Sequence, residues 1–190
     1  MIKQSKIIIL SGPSGSGKTT ISNYLISKIP NLKLSISCTT RKIRKNEKNG
    51  KDYFFISKKI FKSKIKKNQF LEWEEVYNNI FYGTLKNEIN NLLKKKKYIL
   101  FDIDVKGSIN LKKLYKNESI SIFILTNSKK ILKNRLINRK LNNYKEIKIR
   151  LEKVKKENNY SNLFDFIILN EKLEKTKNKI FNIVYNFIKN

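Results

Sequence analysis

The sequence predicts an α/β fold, a parallel sheet with helices packed on both faces, and three observations carry that expectation. Continuous apolar runs of strand length recur along the chain with helical segments between them, as strands buried on both faces require. The first run passes directly into a glycine-rich loop and then into a segment of helical period. The closing segment sets Leu173, Thr176, Ile180, Val184 and Phe187 on one face of a single helix.

The first strand is Ile7-Ile8-Ile9-Leu10. Ser11 to Thr20, SGPSGSGKTT, follows it and holds three of the six glycines in the 190-residue chain. Gly12, Gly15, Gly17, Lys18 and Thr19 fit G-x-x-x-x-G-K-[ST], the P-loop pattern. Its backbone N–H groups ring a phosphate, its lysine reaches the β/γ oxygens and its hydroxyl takes Mg²⁺. Ile21, Tyr24, Leu25 and Ile29 then recur at helical spacing until Pro30 stops the helix. The loop therefore opens a helix, whose N-terminus favours an anion. Further strands are expected at Leu32–Ser37, Tyr98–Ile103, Ser119–Leu125 and Phe164–Leu169. Asp102 and Asp104 alternate with Ile103 and so face one side. An aspartate ending a strand beside a P-loop is placed to support Mg²⁺, often through water, although either one could instead cap the next turn.

Two regions break the alternation. Residues 36–90 are polar, tyrosine-rich and short-stranded, with an Asn49-Gly50 turn that predicts a hairpin, and are expected to form a small inserted lobe. Residues 128–156 are intensely basic, and Arg135 and Arg139, four apart, would share a helix face. A solvated helical hairpin and a mobile lid over a triphosphate both fit that segment. The expected core is then about 1–35, 91–127 and 157–190 of one domain spanning 1–190.

The formal net charge is +28, which raises the question of nucleic acid. Lysine, isoleucine and asparagine dominate the whole chain rather than one segment, and the Lys94–Lys97 run has no interleaved aromatics. A codon bias toward A/T explains this better than specific binding does, although nonspecific adhesion at low salt is expected. There is no histidine, which argues against Ser-His-Asp chemistry and His-ligated metals. One cysteine, Cys38, cannot close an intramolecular disulfide, and no apolar run approaches a membrane span; a soluble cytoplasmic protein is expected. Of 43 basic residues only Arg41, Arg44, Arg135, Arg139 and Arg150 are arginine. Where lysine serves for generic charge, an arginine marks a place needing a bidentate fork for phosphate or carboxylate. Two arginine clusters and one P-loop suggest two phosphate-bearing ligands.

From Ser35 to Phe55, SISCTTRKIRKNEKNGKDYFF matches S-x-S-x-T-T-R-x-x-R-x-x-E-x-x-G-x-x-Y-x-F throughout and so resembles the guanylate kinase family. The likeness continues in order through FLEWEEVYNNIFYGT, FDIDVKG, the arginine-bearing segment and FDFIILNEKLEK, over essentially the whole chain. The resemblance implies a P-loop NTPase core with an inserted monophosphate-binding lobe and a helical lid, in an enzyme that phosphorylates GMP from ATP with Mg²⁺. It implies that Ser37, Arg41, Arg44 and Tyr53 line the GMP lobe, with both arginines and the tyrosine hydroxyl on the α-phosphate. Tyr82 would add a second hydroxyl, Glu72 and Thr84 would read the guanine edge, and Asp104 would face the nucleotide. Gly12, Pro13, Ser14, Gly15, Ser16, Gly17, Lys18 and Thr19 would hold the ATP phosphates, with Thr19 and Asp102 supporting Mg²⁺ and Asn170 lining the adenine pocket. Arg135, Arg139 and Arg150 would come down from the lid, so that Lys18 and the five arginines form the catalytic set.

This chain departs from the family pattern at Phe81, where tyrosine is common, at Lys106 in place of glutamine, and at Lys140 in place of glycine. It also carries one extra residue between Glu72 and Gly83 relative to some members. Two other readings share these residues. A monophosphate kinase of different base specificity turns on Glu72, and a catalytically silent guanylate-kinase-like binding module is disfavoured by Lys18 and the five arginines. The expected partners are ATP and GMP or dGMP, with no specific nucleic acid and no membrane; monomer and homo-oligomer are equally compatible.

Overall fold

A computed structural model describes residues 5–126 and 144–189, apart from the side chains of Tyr77 and residues 144–150. The chain runs through β1 (Ile7–Ser11), α1 (Lys18–Lys28), β2 (Leu32–Leu34), β3 (Cys38–Thr39), β4 (Phe54–Phe55), α2 (Lys58–Lys66), β5 (Phe70–Tyr77) and β6 (Ile80–Leu85). It continues through α3 (Lys86–Lys94), β7 (Tyr98–Asp102), α4 (Val105–Tyr115), β8 (Ser119–Leu125), α5 (Tyr144–Asn158), β9 (Phe166–Leu169) and α6 (Leu173–Lys189).

The apolar run that opens the chain becomes the central strand of a five-stranded parallel sheet of order β2-β7-β1-β8-β9. Successive side chains of a strand point to opposite faces, and both faces here are covered. Ile8 and Leu10 join Ile21 and Leu25 of α1 and Ile180 and Val184 of α6 in one core. Ile7 and Ile9 join Ile89 of α3, Phe101 of β7 and Leu111 of α4 in the other. Ile21 and Leu25 are fully buried, each contributing roughly 1.5–3 kcal/mol by area. The outermost strand departs from expectation. The run FDFIIL predicts a strand buried on both faces, but β9 lies at the sheet edge, with Ile168 buried and Phe166, Ile167 and Leu169 exposed.

A second sheet, of order β4-β3-β6-β5, forms a lobe with its own core of Cys38, Phe61, Phe70 and Phe81. Phe61 stacks on Phe70 with ring centroids 4.3 Å apart. Burial pushes the Cys38 thiol up to about 11, which makes it an apolar filler rather than a nucleophile. Phe81 is buried in this core beside Phe61 and Trp73, where a hydroxyl would need a partner; this accounts for phenylalanine there. The hairpin expected at Asn49-Gly50 is not one. β3 and β4 pair in parallel, Cys38 with Phe54, so residues 40–53 cross over between them, with Gly50 at φ 76° in a local turn. The hairpin of the lobe is β5–β6, whose turn places Asn79 at φ 57°.

Candidate active site

Parallel pairing places one wall of the site. Leu10 of β1 is in register with Asp102 of β7, so the loop leaving β1 and the acid ending β7 emerge side by side. A sheet whose first strand has neighbours on both sides opens a crevice at these carboxyl ends. The loop is tight. Gly12 has φ 133°, and a Cβ there would lie 2.4 Å from the Ile124 carbonyl oxygen of β8. Gly17 has φ 103°, and a Cβ there would meet the Asn170 amide at 2.6 Å. A side chain at Gly12 would collide with the β8 backbone, and one at Gly17 would be strained by the positive φ and would have to displace the Asn170 amide. Lys18 Nζ donates to the carbonyls of Gly12 (2.7 Å) and Pro13 (3.2 Å), arching over the loop. Thr19 Oγ1 donates to Asp102 Oδ2 at 3.1 Å, bringing a hydroxyl and a carboxylate together at the head of α1. Asp104 turns to the next helix, its Oδ1 accepting from the N–H groups of Lys106 and Gly107 as the N-cap of α4.

The lobe supplies the opposite wall. Glu72 on β5 is opposite Thr84 on β6, next to a register shift between Phe70 and Glu72, an irregularity of the kind that re-aims side chains. Glu72 is 6% exposed, and its carboxylate accepts from Thr84 Oγ1 at 2.7 Å. That hydroxyl lies 3.3 Å from Ser37 Oγ. Burial pushes the Glu72 carboxyl from an ordinary 4.5 up to about 7, against hydrogen bonds from Thr84, with the Asp104 carboxylate adding to the rise. A second register shift lies between Glu75 and Tyr77.

The arginines of the lobe are ordered by an acid. Arg41 makes a two-pronged pair with Glu47, NH1 and NH2 each 2.6 Å from a carboxylate oxygen. Its Nε donates to the Tyr82 hydroxyl at 3.0 Å, and its guanidinium lies over the Tyr53 ring, 4.9 Å from the centroid. Glu47 also accepts from the Arg44 backbone N–H at 3.0 Å and faces Arg44 NH1 at 3.6 Å. Burial opposes the charge on Glu47, but Arg41 and Arg44 hold its carboxyl below the usual range. Glu47 stood in the quoted motif without a role. Its spacing after two scarce arginines was the signal that could have found it.

P-loop, lobe and β7 converge on one cleft of about 750 Å³, lined by Gly12, Lys18, Thr19, Asp102 and Asp104 and by Ser37, Arg41, Arg44, Tyr53, Glu72 and Tyr82. Thr84 is fully buried behind Glu72. Asn170 is buried beneath the P-loop, donating to the Ser16 carbonyl at 2.7 Å, and so holds the loop's backbone. Glu157 of α5 also lines the cleft, and nothing in its lysine-rich surroundings announces it. Burial raises its carboxyl, while Lys153 and Lys18 oppose the rise. Lys153 reaches from α5 to the Val76 carbonyl of β5 at 2.9 Å. Arg135, Arg139 and Lys140 lie outside the described residues, as does the side chain of Arg150, whose backbone belongs to α5.

A P-loop at the switch point of a parallel sheet, facing across one cleft a wall of arginines and a buried carboxylate, has the architecture of a P-loop phosphotransferase. The guanylate kinase family model matches residues 4–186. The chain is 42% identical over 185 residues to the guanylate kinase of Bacteroides fragilis, covering 97% of this chain and 91% of that one. It is 45% identical over 182 residues to that of Helicobacter pylori, covering 96% and 87%. The crystal structure of guanylate kinase from Anaplasma phagocytophilum superposes with a TM-score of 0.77 at 29% identity, over 97% of this chain and 86% of that one. This chain belongs to the guanylate kinase family.

Proposed function

We propose that this protein transfers the γ-phosphoryl group of ATP to GMP, giving ADP and GDP. The observation that carries the base choice is the buried Glu72 carboxylate held by Thr84 in the same cleft as Lys18. Guanine presents its N1–H and N2 amino group side by side as donors, and a carboxylate accepts from both. Adenine offers a lone pair at N1 and no N2 amino group, so it would leave a buried charge unpaired, a mismatch that rejects mimics by orders of magnitude.

In this reading residues 36–90 are the acceptor lobe and 128–156 the lid. Arg41, Arg44 and the hydroxyls of Tyr53 and Tyr82 take the GMP phosphate, and Ser37 and Asp104 complete the nucleoside side. Gly12 to Thr19 hold the ATP phosphates over a loop braced by Asn170. Arg135, Arg139 and Arg150 belong to the lid and approach the transferring group. The acceptor phosphate is already ionised near pH 7, so no general base is needed, and catalysis is positioning plus charge stabilisation by Lys18 and the arginines. The Thr19 hydroxyl and Asp102 carboxylate, 3.1 Å apart, are the oxygen donors Mg²⁺ prefers, a partial set to be completed by phosphate and water. When bound, Mg²⁺ would neutralise charge on the β- and γ-phosphate oxygens.

Among the described residues no helix is long and apolar enough to cross a membrane, and a reducing cytoplasm suits the free, buried Cys38. The test is ADP formation from ATP and Mg²⁺ with GMP, dGMP, AMP, CMP or UMP as acceptor. Turnover should require a guanine acceptor. Preference for another base would overturn the specificity reading, and no turnover with any acceptor would favour a silent binding module.

A further inference from the structure

We propose that Gly107 is a positioning residue for base selection: its missing side chain sets where the Glu72 carboxylate sits. The inference rests on the reading of Glu72 as the guanine-binding group and goes one step behind it. Gly107 is in the first turn of α4, where alanine is the better helix former. It has no positive φ, so its backbone does not require glycine. What does require it is close approach. A Cβ built at Gly107 would lie 2.6 Å from Glu72 Oε2 and 3.3 Å from its carboxyl carbon.

Glu72 is thus gripped from two sides. Thr84 of the lobe holds Oε1, and the backbone of α4, capped by Asp104, walls Oε2. Lobe and core therefore meet through this carboxylate, which lies at a helix N-terminus favourable to an anion. Because the obstructed atom is the end of a side chain, a methyl group at 107 would displace the carboxylate before it displaced the helix. The fold would survive, and the two acceptor oxygens would leave the guanine edge. A misplacement of about 1 Å can lower efficiency by roughly 10²-fold.

The experiment is a four-protein comparison of wild type, Gly107→Ala, Glu72→Gln and the double variant, reading kcat and KM for GMP and AMP together with thermal unfolding. Gly107→Ala should unfold at or above the wild-type temperature and lose about 10–10²-fold in kcat/KM for GMP, mostly through KM, with a narrower GMP/AMP ratio. In the Glu72→Gln background the same change should cost less than about threefold, because the group it acts through has already been altered. Equal losses in both backgrounds would overturn the proposal, as would an unchanged GMP/AMP ratio in Gly107→Ala. An unfolded Gly107→Ala protein would overturn it too, since the obstruction would then lie in the fold. The Glu72→Gln arm separately reads the base assignment, so an unchanged ratio there identifies that reading as the one that failed.

Discussion

Replacing Glu72 with glutamine should make the protein more stable and a worse enzyme at once. The wild-type carboxyl is moved from 4.5 to about 7, chiefly by burial. Between those values the folded protein keeps a proton that the unfolded chain has released, so stability falls as pH rises through the window. Above about pH 7 the full penalty is present, roughly 3 kcal/mol at most. Glutamine keeps an oxygen to accept from Thr84 but carries no charge to desolvate. At pH 8.5 Glu72→Gln should therefore unfold roughly 5–10 °C above wild type, and at pH 5 the two should converge. The amide cannot accept from both guanine donors, which removes one charge-assisted bond of about 1.5–3 kcal/mol. The kcat/KM for GMP should fall by about 10–10²-fold, with IMP, which lacks the amino group, less affected and the GMP/AMP ratio reduced. Thermal unfolding at the two pH values and steady-state kinetics with GMP, IMP and AMP measure all of this. A variant less stable than wild type at pH 8.5 would refute the burial argument, and an unchanged GMP/AMP ratio would refute the base assignment.

Lys18→Met should retain the fold, because the ammonium lies over the loop rather than in the core, and should lose about 10²–10⁴-fold in kcat; more than a third of wild-type turnover would refute the P-loop assignment. Arg44→Lys keeps the net charge but removes a planar fork, so GMP efficiency should drop roughly tenfold or more, while Lys94→Arg on the exposed end of α3 should be silent. Equal effects of those two changes would dismiss the argument from arginine scarcity. Glu47→Gln should raise KM for GMP roughly tenfold by releasing Arg41 and Arg44 from their shared carboxylate; a lowered KM would mean instead that Glu47 competes with the phosphate.

The legible parts of the fold were those where one rule sufficed. Five strand-length runs became five parallel strands, the second shortened to Leu32–Leu34, because both faces of each inner strand are covered. The pairing of Thr19 with Asp102 was foreseeable because a P-loop and a strand-end acid must meet when their strands are neighbours. In the lobe, β3 and β4 are two residues each, too short for any period, and Asn49-Gly50 therefore suggested a hairpin that the parallel pairing excludes. Glu72 was legible only through family resemblance. In β5 the polarity is inverted: Glu72 is 6% exposed while its neighbour Trp73 is 44% exposed. A pattern reading would have exchanged them. Such a conflict between local polarity and burial is what functional sites leave behind.

The same inversion holds for the chain's charge. Six of its fifteen acids line the cleft, namely Glu47, Asp52, Glu72, Asp102, Asp104 and Glu157. Among the described residues five bases do so: Lys18, Arg41, Arg44, Lys48 and Lys51. A protein whose +28 charge served a polyanion would concentrate bases where the ligand binds. Here, among the described residues, most bases lie outside the cleft and the acids gather beside sites proposed for phosphates. Acids would repel phosphate unless each had other work, and several do: Glu47 orders two arginines, Asp102 faces Thr19, and Asp104 caps α4. Glu72 is kept ionisable in a place where its burial is unfavourable, and in the proposed function a guanine edge would supply the missing donors. In a chain saturated with lysine a basic residue therefore carries little information. The acids and the few arginines carry it, and among the described residues six acids and the two arginines Arg41 and Arg44 line one cleft.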